Sequence, residues 1–384
     1  MIDVDQLAPH QAATQAQNAR VVVSLELSPS SWLVTSLSPG SEKLSKRSMS
    51  GGDGAGLLSL LEGLRMKATR RVGGRVDVVC IQEAGLDGFW LHRLLEANGI
   101  ESHVVDAASI AAPRRKRAKS DGIDGETLIR VLLAWLRREP RVCSMVRPPS
   151  IEEEDRRRLI GERERLVDQR ISETNRIRGL LASQGIRGYD PLRRDRRDRL
   201  AALVTGDGRR LPADLRQELE RALDRIELLQ RQLRAVEAAR DRELADAGQH
   251  EPATLLAHIK GVGEQTNALL CFEAFYRSFS NRRQLAAFAG LAPTPWRSGQ
   301  LVHEQGVTGA GNPRLRTGLV QLAWLWLRHQ PASALSQWFT KRVGKQRGPL
   351  KRIAVVALAR KLLIALWRYV SHGVIPVGAG LANR

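Results

Sequence analysis

The chain has 384 residues, 42% of them apolar, and carries 61 Lys and Arg against 41 Asp and Glu, a net charge of +20. That length and apolar content suffice for two or three domains with real cores, and the basic excess, larger than solubility requires, points to a polyanionic partner. Aromatic residues make up only 4%, which argues against a surface built mainly of base-stacking platforms and leaves phosphate contacts to supply most of the affinity.

Three widely separated cysteines, Cys80, Cys143 and Cys271, sit in apolar surroundings. They read as buried thiols of a reducing cytoplasm, neither a disulfide framework nor a zinc site. The eight histidines show no metal-ligand spacing and no Walker-type glycine loop occurs, so no nucleotide cofactor is expected. No leader pattern is evident. The apolar stretch 353–367 is interrupted by Arg360 and Lys361, and 319–327 is too short to span a bilayer, so a cytoplasmic protein without a membrane partner is expected.

In chain order, Val21 to Leu27 alternates around Glu26 and passes through Pro29 and Ser30 into a second alternating run, Trp32 to Leu37, the pattern of an antiparallel hairpin. A more polar third strand is expected over 43–49. After the Gly51-Gly-Asp-Gly loop, a helix is expected on Leu57, Leu58, Leu60, Leu61 and Leu64. Val76 to Ile81 forms a buried-looking strand that stops at Gln82-Glu83, followed by a short helix over 89–97 and a strand over 102–106. The order is that of a mixed sheet with crossover helices. Arg114, Arg115, Lys116, Arg117 and Lys119 then stand immediately before Asp121 and Asp124, which open a helix carrying Leu128, Val131, Leu132, Leu133, Trp135 and Leu136.

Glu26 and Glu83 fall at the carboxyl ends of strands, where ligands gather in open α/β sheets. Asp121 and Asp124, three apart, share one face of a first helical turn. Four converging carboxylates repel one another unless a hard cation such as Mg²⁺ lies among them, and two such ions roughly 3.5–4 Å apart stabilise both the attacking and the leaving oxygen of a phosphodiester displacement. Each residue also has an ordinary explanation alone: Asp caps helices, and Glu ends many strands. The basic run beside the Asp pair is a candidate for phosphate contact, although charge runs are commonly solvated loops.

Composition changes after Pro148-Pro149. Residues 151–247 are dense in Arg, Glu, Asp and Leu, with almost no strand character. Leu219, Ala222, Ile226, Leu229, Leu233 and Val236 alternate at spacings of three and four, a heptad seam three repeats long. An earlier helix over 152–183 carries a looser seam through Ile160, Val167, Ile171, Ile177 and Leu181. A helical hairpin with an Arg-rich connector over 185–212 fits. The seam can serve within one chain, but an isolated hairpin has little else to bury, and self-association is favoured. In the connector, Arg193, Arg194, Arg196 and Arg197 are candidate nucleic-acid contacts.

The last third is apolar and helical. Lys260, Gly261 and Gly263, in Ile259-Lys-Gly-Val-Gly263, match a helix-hairpin-helix turn in which backbone N–H groups approach phosphate, or equally a simple interhelical turn. Residues 284–293 form a helix ended by Gly290, leading into a loop, Thr294-Pro-Trp-Arg-Ser-Gly299, and a helix starting near Pro313. A Ser beside Gly is usually a turn residue, and Ser298 has no His-Asp signature of a protease triad.

Glu83-Ala-Gly, Lys119-Ser-Asp-Gly-Ile-Asp124, Gly261-Val-Gly263, Phe288-Ala-Gly-Leu-Ala-Pro293, Arg297-Ser-Gly299 and Gly309-Ala-Gly-Asn-Pro-Arg-Leu-Arg316 occur in the order and approximate spacing of one family. The chain resembles, from about residue 20 to 373, the DEDD transposases of the IS110 and IS1111 insertion sequences, described as bridge-RNA-guided recombinases. The resemblance implies a multi-domain α/β plus α protein. A tail (1–19) precedes a RuvC-like, RNase H-type catalytic domain (20–148), a coiled-coil dimerisation segment (149–250), a helical transposase domain (251–373) and a second tail (374–384).

Residue by residue, the resemblance puts Glu26, Glu83, Asp121 and Asp124 on the four acidic, metal-binding positions and Ser298 on the nucleophile. It adds Arg297, Arg314 and Arg316 to the candidate nucleic-acid contacts. The family usually has Asp where this chain has Glu26, and a Ser-Lys pair where Thr308-Gly309 stands. What it implies is a DNA recombinase with two Mg²⁺ ions, DNA ends and a non-coding guide RNA as partners, a homodimer or homotetramer formed through the coiled coil, and a composite active site. Two other functions fit the residues: a Mg²⁺-dependent, structure-selective junction endonuclease that uses water, and a non-enzymatic basic DNA-binding protein.

Overall fold

The computed structural model describes residues 19–85, 89–110, 121–140, 142–249, 251–298, 301–307, 311–344 and 348–382, with side chains except at 108, 121–124, 294–298 and 301–305. The chain divides into two compact units between Pro149 and Ser150.

The first unit is a six-stranded sheet, β1 (Arg20–Leu27), β2 (Ser31–Leu37), β3 (Ser45–Ser50), β4 (Asp77–Glu83), β5 (Glu101–Val105) and β6 (Met145–Val146), in the order β3-β2-β1-β4-β5-β6. β1 is antiparallel to β2 and parallel to β4, β4 is parallel to β5, and β6 is antiparallel to β5. β6, two residues long, is too short to leave a periodic signal in the sequence. Alternation along the strands divides the core between the two faces. Val21, Val23, Leu25, Val78 and Cys80 pack with Leu57 and Leu61 of α1 (Gly54–Val72) and Leu91 and Leu95 of α2 (Trp90–Ala97). On the other face, Val22, Val79, Ile81 and Val105 pack with Leu128, Ile129 and Leu132 of α3 (Asp121–Leu136). Local chemistry sets the ends of α1: the Asp53 carboxylate accepts from the Gly56 N–H, and Gly73 closes the helix at φ 73°, a conformation that costs glycine little.

The second unit begins with α4 (Ile151–Ala182), where Ser150 and Glu153 form a reciprocal capping box. After the short α5 (Arg196–Ala201), α6 (Ala213–Ala245) returns antiparallel to α4, and the pairs Arg156–Glu243, Arg163–Glu237, Arg225–Glu173 and Arg176–Glu218 mark the pairing. The heptad residues of α6 are all buried within this hairpin, Leu219, Ala222 and Ile226 completely, against Leu166, Ile177 and Leu181 of α4 and the connector residues Tyr189 and Leu200. Of the two uses that the sequence allowed for the seam, the structure shows the one within a single chain: the hairpin's own partner helix and connector cover it. Ile226→Ala is expected to cost about 2–5 kcal/mol through the cavity left in this closed seam, checked by thermal melts, with the same mass by light scattering as the parent.

The remaining helices are α7 (Pro252–Ala257), α8 (Glu264–Leu270), α9 (Arg282–Phe288), α10 (Pro313–His329), α11 (Ala334–Val343) and α12 (Pro349–His372), with a π-helical turn at Cys271–Phe275. They enclose a core in which Leu269, Leu285, Leu315, Leu322, Trp326, Leu358 and Leu362 are buried, and Ile160 of α4 joins it. The expected loop at 294–299 differs from the structure: Pro293–Ser298 is a strand, β7, paired antiparallel with β8 (Leu301–Val307). Pro293 and Pro295 argue against a strand in the sequence. A two-stranded ribbon tolerates them because each strand has only one partner, and the register shifts between them. No described helix is long and apolar enough to cross a membrane.

Candidate active site and nucleic-acid interface

The β1–β4 register runs from Arg20 opposite Asp77 to Leu25 opposite Gln82, which sets Glu26 and Glu83 level with each other at the carboxyl ends of adjacent parallel strands, about 4.8 Å apart. Both stand on the face of the sheet that carries Val22, Val79 and Ile81, the face covered by α3. Glu26 is half-buried and Glu83 exposed.

Gly125, in the first turns of α3, completes the local geometry. The Ser24 hydroxyl donates to the Gly125 carbonyl at 2.9 Å. A Cβ placed on Gly125 would collide with Glu26 Oε1, and would lie 2.6 Å from Thr35 Oγ1 and 3.2 Å from Ser24 Oγ. The Glu26 carboxylate therefore lies against the backbone of the helix that Asp121 and Asp124 open, in space that exists because residue 125 has no side chain. The Glu26 side chain is accommodated by this glycine. Gly125→Ala is expected to cost about 1–3 kcal/mol by overpacking, and Glu26→Asp in the same chain to recover part of it, as read from the shift in melting temperature.

The side chains of Asp121, Asp124, Arg297 and Ser298 are outside the described set, as are residues 114–119 altogether. The backbone places Asp121 and Asp124 in the first turn of α3, and Ser298 at the last position of β7, in register with Leu301. Among the described residues, no three His, Cys, Asp or Glu side chains are grouped to hold a metal ion.

Several candidate cationic contacts already have partners. Arg196 and Arg197 donate to Glu227, Arg197 also to Asp224, and Arg193 to Asp195. Bonding to two carboxylates raises the Arg197 guanidinium further above its ordinary range. Arg194 is exposed. Arg314 bonds Glu164 and Glu273, each at 2.7 Å. Arg316 is half-buried on α10. Lys260 is exposed, and its backbone is fixed: its carbonyl accepts from Gln330 at 2.8 Å and its N–H donates to the Gly380 carbonyl at 3.1 Å. Gly261 has φ 89° and approaches His329, while Gly263 caps α8. The turn between α7 and α8 is thus held rigid, with Lys260 outward.

Glu273 was not singled out by the sequence. It is completely buried and accepts from Arg157, Asn312 and Arg314. Asn312 also caps α10 by accepting from the Leu315 N–H and donates its own N–H to Phe288. A Cβ on Gly311 would meet Gly290 N at 2.5 Å and Ala287 O at 2.6 Å. These contacts explain Ala-Gly290 and Gly311-Asn-Pro-Arg314 as one packed unit that fixes the start of α10 against the end of α9, the two helices flanking the β7–β8 ribbon. A lone glutamate in an apolar segment, Cys271-Phe-Glu-Ala-Phe275, was the available signal.

A model described as the IS116/IS110/IS902 transposase family matches residues 253–337, which include Glu273, Ser298 and Arg314. The y4rJ protein of Sinorhizobium fredii, which carries the name of a transposase, is 57% identical over 372 residues, 94% of this chain and 94% of the relative. The chain belongs to the IS116/IS110/IS902 family of transposases. The transposase for insertion sequence element IS1111A of Coxiella burnetii is 29% identical to this transposase, covering 76% of this chain and 77% of its own. The pilin gene-inverting protein of Moraxella lacunata is 38% identical over 114 residues, 29% of this transposase and 34% of the relative.

Proposed function

We propose that this transposase exchanges DNA strands by covalent catalysis, with Ser298 as nucleophile and Glu26, Glu83, Asp121 and Asp124 as ligands of Mg²⁺, and that a non-coding guide RNA selects the DNA. The observation that carries the metal site is the Glu26 carboxylate seated against Gly125 on the helix opened by Asp121 and Asp124, with Glu83 level with it on the next strand. A set made of carboxylate oxygens suits a hard cation. The order β3-β2-β1-β4-β5, with β1 between an antiparallel and a parallel neighbour, supports an RNase H-type, RuvC-like domain. A relative named for inverting a pilin gene supports recombination as the outcome.

Bound Mg²⁺ supplies charge stabilisation at the attacking and leaving oxygens. In the first step, the Ser298 hydroxyl gives its proton to a base and its Oγ bonds to phosphorus. The bond from phosphorus to one DNA oxygen breaks, and that oxygen leaves with a proton. In the second step, a hydroxyl of another DNA end attacks the phosphoserine, and Ser298 leaves reprotonated. One phosphodiester is exchanged for another, so no nucleotide is consumed. A guide RNA assigns sequence choice to base pairing, while the protein holds RNA and DNA by shape and charge.

Strand exchange on DNA carrying the element's ends, with RNA co-purified with the protein, is the direct test. Replacing Asp121 and Asp124 by Asn, or chelating Mg²⁺, is expected to lower exchange by about a hundredfold or more. Unchanged exchange in both would sink the metal assignment. A defined co-purifying RNA supports the guide, and random fragments oppose it.

A further inference from the structure

The α4–α6 hairpin carries a ladder of Arg–Glu pairs, and the ladder has a gap. Arg163 bonds Glu237 at 2.8 Å, and Arg225 bonds Glu173 at 3.2 Å. Between those rungs, Arg170 lies opposite Gln230, a neutral residue, and both line one depression on the hairpin. Gln230 and Arg234 also line a second depression, shared with Arg194, Arg196 and Arg231 of the connector and α6. The two depressions share Gln230 and Arg234, and together they make a grooved surface lined by six guanidinium groups and two carboxylates. Both carboxylates are spoken for: Glu237 by Arg163, and Glu227 by Arg196 and Arg197.

Arg170, Arg194, Arg231 and Arg234 have no carboxylate partner among the described residues, and three of them are exposed. Like charges held together without counter-charge repel and cost stability. On a hairpin where Arg156, Arg163, Arg176 and Arg225 each pair with a glutamate of the facing helix, four such arginines lining adjoining depressions point to an anionic occupant. Guanidinium forks match phosphate oxygens in geometry as well as charge.

The lining decides the kind of nucleic acid. Among the described residues, no aromatic side chain lines either depression, so unstacked bases find no platform in that lining. From Glu227 to Glu237 the groove follows α6 for about 15 Å, some four base-pair steps of a duplex. We infer that this groove, whose lining includes none of Glu26, Glu83, Asp121, Asp124 or Ser298, binds the phosphodiester backbone of a nucleic-acid duplex. Strand-transfer chemistry is not needed for it, so its test stands apart from the test of the proposed mechanism.

The test measures binding by fluorescence anisotropy to a short DNA duplex, an RNA hairpin and single-stranded oligothymidine over a range of KCl concentrations. The full-length parent is compared with R170Q/R231Q/R234Q and with a control of equal charge, R165Q/R221Q/R242Q. The control arginines are exposed residues of the same two helices outside the groove. The groove variant is expected to lose about tenfold to a hundredfold in affinity for the DNA duplex or the RNA hairpin near 0.1 M salt. Its slope of log K against log salt is expected to fall by about 2–3 in magnitude, with the control changed far less. Whichever duplex shows the loss identifies the source of the backbone. Equal losses in groove and control variants, losses confined to oligothymidine, or no loss at all would overturn the assignment.

Discussion

Ser298→Ala is expected to lower strand exchange by about a thousandfold or more and to remove any covalent protein–DNA adduct from a denaturing gel. A serine hydroxyl is a weak nucleophile until a base or metal activates it, and without Oγ no phosphoserine forms. Alanine is small and carries no charge, and Ser298 ends a two-stranded ribbon, so DNA affinity and melting temperature should stay near those of the parent. Removing a nucleophile from a unit of cooperating residues costs more than the sum of small contacts suggests. If the variant cut DNA at the parental rate, water would be the nucleophile, and the junction-endonuclease function would replace recombination.

The largest expected effect on stability lies in the buried network around Glu273. Arg314→Met is expected to cost about 2–3 kcal/mol, because it strips a charge-assisted hydrogen bond from a carboxylate with no access to water. Arg157 and Asn312 still donate to Glu273, which keeps the cost below that of a fully abandoned charge. For a unit of this size the melting temperature should fall by roughly 4–12 °C. Arg216→Met removes an exposed pair with Glu220 one helical turn away, worth below about 1 kcal/mol, and serves as the comparison. Equal shifts for the two variants would show that burial of Glu273 carries no special weight. Because Asn312 and Gly311 fix the start of α10, the Arg314 variant should also slow strand exchange at temperatures where it remains folded.

Some elements were legible because their signal is local. Alternation around Glu26 and in Val76 to Ile81 gave strands whose register then set Glu26 and Glu83 side by side. The three-and-four spacing of Leu219 to Val236 gave α6, whose seam is buried as a heptad seam must be. Other elements carried misleading local signals. Pro293 and Pro295 hid β7, since proline speaks against a strand and its tolerance depends on how many neighbours that strand has. The arginines of the connector looked free because a one-dimensional string does not show that Glu227 and Asp224, some thirty residues on, return to meet them.

The sequence by itself determined the polyanionic partner, the mixed sheet, the long helical hairpin, and which carboxylates and serine to examine, because charge, periodicity and motif order are properties of neighbouring residues. Only the tertiary structure decided that the heptad seam closes on its own chain, that Gly125 makes the room in which Glu26 sits, that Glu273 holds the Gly311-Asn-Pro-Arg314 turn, and that an arginine groove is left without counter-charge. Each of these depends on atoms brought together from distant parts of the chain. Burial, steric room and ion pairing are set by that convergence, and no window of sequence contains it.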